Sequence, residues 1–143
     1  SMGMCAGQYL DTAAPPDLDE RSLRGTHALK TGALISAACQ IGVSAAGGTQ
    51  LQLNAAGEFG SALGMAFQIR DDVLDAECSS EQLGKTAGSD ERGGKTTFFT
   101  LLGPEGCERE IARLSLDAKN ALSPFDDAAF LLTLTDMLAG RNK

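Results

Sequence analysis

The sequence predicts an all-helical protein, and three observations support this fold class. Stretches rich in Ala, Leu, Gln, Glu and Lys dominate the chain, and these residues favour helices. The alternation of β-branched and polar residues that is typical of strands is scarce. The breaks between apolar segments fall at glycine and proline, which interrupt helices. We therefore expect no β-strand and a core made of packed helices.

Two helices are predicted in the first part of the chain. The first ends before Pro15, because the residue that precedes a proline disfavours the helical conformation. Asp17 or Asp19 can then cap a short helix that runs toward His27. Since His27 lies in a polar stretch, we expect its side chain to be exposed.

A helix of small residues and a long helix are predicted next. The segment ALKTGALISAACQIGVSAAGG stops at a pair of glycines, and a long helix then spans residues 50 to 76. Residues 77 to 96 are polar and rich in glycine, so they are predicted to form a loop. A loop of this length inside a compact domain is usually functional.

The last part of the chain is predicted to form a short apolar segment and two amphipathic helices. Residues 97 to 102 are the apolar segment. The two helices are GPEGCEREIARLSLDAKNALSP and FDDAAFLLTLTDMLAGRNK, which are separated at Pro124.

Composition excludes several classes of protein. A chain of 143 residues is one domain by length, and its 43% hydrophobic and 22% charged residues are those of an ordinary globular protein. No apolar run reaches the roughly 18 residues of a membrane-spanning helix, so we expect no stable membrane insertion. The start, SMGMCAGQYLD, lacks the basic and long apolar parts of a secretory signal. A cytoplasmic location is the default expectation.

Charge and cysteine content argue against two kinds of ligand, nucleic acid and zinc. The net charge of −7 argues against nucleic acid, because phosphate backbones are held by clusters of Lys and Arg. Cys5, Cys39, Cys78 and Cys107 form no CxxC pair and the chain has a single histidine, so a zinc site has almost no support. We expect four reduced thiols, most of them buried.

One stripe of the long helix carries small and acidic residues. At about 100° per residue, one sector roughly 120° wide holds the following residues: Gly57, Gly60, Ser61, Gly64, Gln68, Asp71, Asp72 and Asp75. Bulky side chains occupy the rest of the circumference. The stripe is therefore predicted to form the wall of an open groove, with glycines widening its floor and carboxylates at one end.

The carboxylates need a compensating charge if the groove is partly enclosed. Two carboxylates about 5 Å apart repel by roughly 0.8 kcal/mol in bulk water, but by about 3 kcal/mol at the effective dielectric of a partly enclosed site. Oxygen ligands of this kind suit Mg²⁺, Mn²⁺ or Ca²⁺. The alternative is an acidic helix end that faces water and binds no ligand.

Two pairs of residues outside the long helix also suggest an anion site. Lys85 and Lys95 lie in the glycine-rich loop, where backbone N–H groups can approach an anion and each lysine adds a positive charge. Lys30 and Thr31 begin the helix of small residues, which can pack closely on a neighbour. For Lys85 or Lys95 alone, solubility is the simpler explanation, while for Lys30 a pocket and solvent are equally good explanations.

Taken together, the motifs resemble the carboxyl-terminal half of trans-isoprenyl diphosphate synthases, the farnesyl and geranylgeranyl diphosphate synthase family. The resemblance covers essentially the whole chain and rests on five segments in order: GMCAGQYLD, HALKTGALI, GMAFQIRDDVLD, LGKTAGSDERGGKTTF and RNK. It implies the carboxyl-terminal portion of an isoprenoid-synthase-type helical bundle.

The resemblance also implies roles for individual residues. Those that would hold Mg²⁺ or Mn²⁺ against an allylic diphosphate are Asp71, Asp72 and Asp75. Those around the breaking C–O bond, which are the catalytic candidates, are Lys30, Thr31 and Gln68. Further residues of the diphosphate and substrate pocket are Lys85, Lys95, Gln8 and Asp11, and a basic tail that closes over the site in some members would include Arg141 and Lys143.

The chain departs from the family in one respect, since it lacks the first aspartate-rich motif that the family uses with basic residues for isopentenyl diphosphate. Residues 1 to 143 are therefore expected to be a carboxyl-terminal fragment of a single helical domain whose amino-terminal half is absent. The parent would condense allylic and isopentenyl diphosphates to a short-chain product of farnesyl or geranylgeranyl length, and the fragment alone would be inactive.

Assembly and rival functions follow from the same resemblance. We expect a homodimer, or association with the missing amino-terminal half. The alternatives are a non-catalytic regulatory subunit of a heteromeric synthase, a terpene cyclase, and an acidic structural helix without a ligand.

Overall fold

The chain folds into helices, as predicted. The computed structural model describes residues 3–15, 17–82 and 96–141, with only the backbone for residues 79 to 82. Within this part there is no strand, and the helices are α1 (Gly3–Thr12), α2 (Glu20–His27), α3 (Ala33–Ala45), α4 (Gln50–Gln82), α5 (Phe98–Ala121) and α6 (Ala129–Ala139), with a π-helical segment at Ala28–Gly32.

The first two helices have the predicted ends. α1 stops at Thr12, before Pro15. Asp19 and not Asp17 caps α2, since its Oδ1 accepts a hydrogen bond of 2.7 Å from the backbone N–H of Ser22. This bond lowers the pKa of the Asp19 carboxyl.

The predicted break between the short helix and the helix of small residues is absent. α2 continues through the π-helical segment into α3, and the N–H of Ala33 donates to the carbonyl of Ala28, which gives the wide turn of a π-helix. α3 then ends before Gly47, which adopts a φ of 72° that glycine tolerates without strain.

This continuous stretch bears on the membrane prediction. Among the described residues, the helical stretch Glu20–Ala45 is long and apolar enough to cross a membrane by length and composition alone. The expectation that no such helix exists was therefore wrong. Core helices of soluble proteins pass the same test, so the finding assigns no membrane location.

The two longest helices differ from prediction at their ends. α4 extends to Gln82, so residues 77 to 82 belong to a helix and not to the predicted loop. The predicted apolar segment at 97–102 is the start of α5, which bends at Gly103 (φ 67°) before Pro104 and then continues to Ala121. The last helix follows a break that contains Pro124, as expected.

α4 is the central helix, and two predictions about the burial of side chains in the packed helices were wrong. His27 is 4% exposed and its ring lies against that of Phe98, 5.5 Å between centroids. Of the four free cysteines only Cys107 is fully buried, while Cys5 is exposed. The predictions for His27 and for mostly buried thiols were wrong, because both depend on which helix packs opposite.

The glycines of α4 lie in a closed helix–helix contact, which corrects the predicted groove floor. A Cβ atom on Gly60 would lie 2.5 Å from the Cα of Ser36, and one on Gly64 would lie 2.8 Å from the Cα of Gly32. Gly57 faces the amide of Gln40 in the same way. The glycines therefore allow the backbones of α3 and α4 to approach each other.

Candidate functional site

The π-helical segment brings Lys30 against α1. The ammonium of Lys30 lies 2.7 Å from Oδ2 of Asp11, whose side chain is only 7% exposed. Gly7 makes this contact possible, since a Cβ there would lie 2.1 Å from the backbone nitrogen of Lys30. The side chain of Lys30 is thus held by an ion pair that is largely protected from water.

Thr31 joins the same segment to α4. Its hydroxyl donates a hydrogen bond of 3.0 Å to the Oε1 atom of Gln68. Of the three predicted catalytic residues, Thr31 and Gln68 are therefore in direct contact, while Lys30, next to Thr31 in the chain, contacts Asp11 of α1 and acts electrostatically on Asp71.

The predicted polar pair of α1 is divided. Asp11 is buried beside Lys30, whereas Gln8 is exposed and its amide donates to the hydroxyl of Thr12 within its own helix, at 3.4 Å. Of the two residues, only Asp11 contacts another predicted site residue.

Asp71 lies beside positive charge. A nitrogen of the Arg141 guanidinium donates to its Oδ1, and the same guanidinium lies over the ring of Phe67, 4.9 Å from the centroid. Burial raises the pKa of the Asp71 carboxyl; Arg141 and Lys30 oppose this shift, while the charge of Asp75 adds to it. Asp71, Asp75, Lys30 and Arg141 therefore share one electrostatic environment.

Asp72 faces a different neighbour. Its Oδ2 accepts a hydrogen bond of 2.8 Å from the backbone N–H of Phe98, at the start of α5. Its charge also helps to raise the pKa of the Cys107 thiol to about 11, after the larger effect of burial. The sequence analysis placed all three acids on one stripe, but the side chains of Asp71 and Asp72 contact different parts of the structure.

The acids fit a magnesium ion that completes its coordination with other ligands. Across residues 3–15, 17–82 and 96–141, no three His, Cys, Asp or Glu side chains are arranged to hold a metal. Mg²⁺ is commonly bound by one or two carboxylates, substrate phosphates and waters. Asp71 and Asp75, one helical turn apart, are carboxylates of this kind, and in this structure Asp71 is paired with the guanidinium of Arg141. Lys85, Lys95 and Lys143 lie outside the described residues.

Sequence reasoning missed two residues that shape this site. Gly7 lies in the quoted segment GMCAGQYLD, but only the packing of α1 shows why a side chain there is excluded. Phe98 is fully buried; its N–H donates a hydrogen bond to Asp72, and its ring packs against the ring of His27. The apolar pair at positions 98 and 99 was the available signal for a buried helix start.

Comparison with known proteins shows to which family the chain is similar. The model of the family described as polyprenyl synthetase matches residues 1–122. The chain is 36% identical to geranylgeranyl pyrophosphate synthase 4 of Arabidopsis thaliana, over 98% of this chain and 39% of that protein. It is 37% identical to the heterodimeric geranylgeranyl pyrophosphate synthase large subunit 2 of the same plant, over 99% of this chain and 39% of that protein.

Solved structures agree with the fold. A geranyltransferase from Legionella pneumophila superposes with a TM-score of 0.76 at 35% identity, over 97% of this chain and 44% of that one. A putative farnesyl-diphosphate synthase from Marinomonas sp. MED121 gives a TM-score of 0.79 at 28% identity, over 96% and 46%. The chain thus spans less than half the length of each of these four proteins.

Proposed function

This chain belongs to the polyprenyl synthetase family, and we propose that it forms the allylic-diphosphate-binding part of a Mg²⁺-dependent prenyltransferase. The observation that carries the proposal is the hydrogen bond from Thr31 to Gln68, with Lys30 next to Thr31 in the chain and close enough to oppose the rise that burial causes in the pKa of the Asp71 carboxyl. A positive side chain, two polar groups and carboxylates that suit Mg²⁺ are the groups needed to bind and ionise a diphosphate ester.

Each residue has a chemical role in this proposal. Lys30 neutralises charge that develops on the departing diphosphate, and the oxygens of Thr31 and Gln68 stabilise the allylic cation. Asp71 and Asp75 hold Mg²⁺, which would withdraw electron density from the diphosphate when bound. Lys85 and Lys95 add charge from the segment that follows α4.

The overall reaction is a condensation. The allylic C–O bond breaks, the allylic carbon is attacked by the double bond of isopentenyl diphosphate, and the resulting cation loses a proton to the released diphosphate. Enclosure of this region by helices would keep water from the cation. Of the predicted pocket pair, Gln8 is open to ligand, while Asp11 acts through Lys30.

We further propose that a longer protein contains this chain and supplies the isopentenyl diphosphate site. One side of α3 supports this, because Leu34 and Ile41, seven residues apart, are 60% and 67% exposed. Residues at that spacing share one helix face. Either the rest of the longer protein or a second copy would cover the face, and a homodimer is the assembly that we propose. A cytoplasmic location stays a prediction.

A regulatory subunit is the second candidate function. It gains support from the relative named as the large subunit of a heterodimeric synthase. In that case the longer protein would raise or redirect the turnover of a partner synthase without turnover of its own.

The test is prenyl transfer by the longer protein, with an allylic diphosphate, radiolabelled isopentenyl diphosphate and Mg²⁺. We expect turnover in the unmodified protein and at least a hundredfold loss in Asp71→Asn. Asp117→Asn is the matched control, because Asp117 lies on an exposed part of α5.

Three results of this assay would count against the proposal. Equal turnover in Asp71→Asn would remove Asp71 from the site. No turnover in the longer protein, with stimulation of an added synthase, would favour the regulatory subunit. Sustained turnover by the 143-residue chain alone would contradict its expected inactivity.

A further inference from the structure

A carboxylate of α4 binds the first backbone N–H of α5, in addition to the apolar packing of Phe98 against α4. Phe98 is the first residue of α5, and its N–H donates to Oδ2 of Asp72. The first N–H groups of a helix have no partner within the helix, and the helix dipole gives this end a partial positive charge. A carboxylate at this position satisfies both the donor and the charge, and such charge-assisted bonds are stronger than neutral ones.

The rest of this helix start is arranged around Phe98. Thr97 and Thr100 cap each other, since each hydroxyl accepts a hydrogen bond from the other residue's backbone N–H. The buried ring of Phe98 lies against the ring of His27, and the guanidinium of Arg24 lies over it, 5.2 Å from the centroid. Phe98 is therefore fixed from α2 by its ring and from α4 by its N–H.

Asp71 and Asp72 have different surroundings although they are adjacent. Consecutive residues of a helix are about 100° apart, whereas residues at spacing four are about 40° apart. In agreement, Asp71 is influenced by Asp75, Lys30 and Arg141. Asp72 accepts the hydrogen bond from Phe98 and acts on the thiol of Cys107, both in α5.

We propose that Asp72 is a positioning residue that fixes the start of α5 against α4, and that within the acidic motif only Asp71 and Asp75 face the bound cation. This inference rests on the proposed function, in which the motif holds Mg²⁺. It divides a motif of three similar acids into two that bind the cation and one that holds the adjoining helix.

The experiment measures two quantities in the 143-residue chain and three variants. The first is the hydrogen-exchange rate of the Phe98 amide. The second is the dissociation constant of inorganic diphosphate at saturating MgCl₂. The variants are Asp72→Asn, Asp72→Ala and Asp71→Asn.

The two acids should give opposite results. Asp72→Asn keeps an acceptor oxygen, so diphosphate binding should stay within threefold of the unmodified chain, and Phe98 exchange should accelerate less than in Asp72→Ala, where at least a tenfold increase is expected. Asp71→Asn should weaken diphosphate binding at least tenfold and leave Phe98 exchange unchanged.

The inference is wrong if Asp72→Asn weakens diphosphate binding as much as Asp71→Asn does, or if Asp72→Ala leaves Phe98 exchange unchanged. Failure of the proposed function looks different: the unmodified chain would not bind diphosphate with Mg²⁺ at all. Should Asp72→Ala fail to fold, the Asn pair still decides between the two roles.

Discussion

The small and acidic residues of α4 fall on one face of the helix, but those in its two halves make different contacts. In the amino-terminal half, Gly60 and Gly64 lie against the backbone of the helix that precedes α4. In the carboxyl-terminal half, Gln68 and Asp71 are bordered by side chains that carry dipoles or charge. The first half, the glycine half, packs against another helix. The second half, the acidic half, is where a ligand can be bound.

The difference teaches how a stripe of small residues should be interpreted. Glycines on one helix face predict either an open groove or a close helix–helix contact. The deciding signal is a second helix with matching small residues, and Gly32 and Ser36 in the segment that ends in α3 provide them. Both patterns were visible in the sequence, but their pairing became clear only from the fold.

The largest expected effect is on the glycine half. Gly60→Ala adds a Cβ that would lie 2.5 Å from the backbone of Ser36, so α3 and α4 must separate. Overpacking should lower the free energy of unfolding by about 2 kcal/mol. Urea unfolding measures it. In an uncrowded helix the same change would stabilise by about 1 kcal/mol.

Gly42→Ala is the matched control for this prediction. Gly42 lies within α3, and a Cβ there would meet nothing within 4 Å. It should raise the unfolding free energy. If Gly60→Ala also raises it, the two helices are not in backbone contact.

A smaller effect is expected at the ion pair beside the acidic half. Asp11→Asn keeps the shape of a side chain that is 7% exposed but removes its charge opposite Lys30. Because Lys30 is 28% exposed and solvent screens it, we expect a loss of about 1 kcal/mol in urea unfolding. Thr12→Ala, on the exposed face of α1, should change little. A stability equal to that of the unmodified chain would show that the pair does not hold α1.

A pair outside both halves gives a smaller, pH-dependent effect. A hydrogen bond from Arg113 lowers the pKa of the Glu110 carboxyl below its usual 4.5, with Arg24 adding to the shift. A lowered pKa in the folded chain stabilises it above that pH, and the stabilisation is lost as the pH falls through the folded value.

Glu110→Gln should therefore be less stable than the unmodified chain at pH 7, and the difference should shrink below pH 4.5. Thermal unfolding across this range measures it. Glu105→Gln, at a side chain that is 91% exposed, should show no such trend. A difference that is constant with pH would mean that the carboxylate of Glu110 is not responsible.

The smallest effect is on the reactivity of the cysteine thiols. Burial raises the pKa of Cys39, beside the glycine half, whereas at Cys107 the carboxylates of Asp72 and Glu108 add to burial and give about 11. Iodoacetamide at pH 8 should modify exposed Cys5 first and Cys107 last. Asp72→Asn should speed the reaction of Cys107 but not that of Cys39. Equal acceleration at both would indicate general loosening.

The sequence predicted the helical class and a cap at Asp17 or Asp19, since these depend on local propensity and spacing. It named Lys30, Thr31 and Gln68 as catalytic residues through the family resemblance; Thr31 and Gln68 are hydrogen-bonded in the structure, while the catalytic role of all three stays a prediction. It failed at His27, at residues 77 to 82 and at the glycine groove. The failures at His27 and at the glycine groove share one cause: burial was set by partners distant in the chain, Phe98 for His27 and Ser36 for Gly60.

The central claim is that only the acidic half of α4 binds a ligand, and thermal unfolding with MgCl₂ and inorganic diphosphate tests it most directly. We predict that Gly60→Ala melts at a lower temperature but is still stabilised by the two together. Asp71→Asn should melt near the unmodified chain and gain no stabilisation. Equal stabilisation of Asp71→Asn and the unmodified chain would contradict the claim.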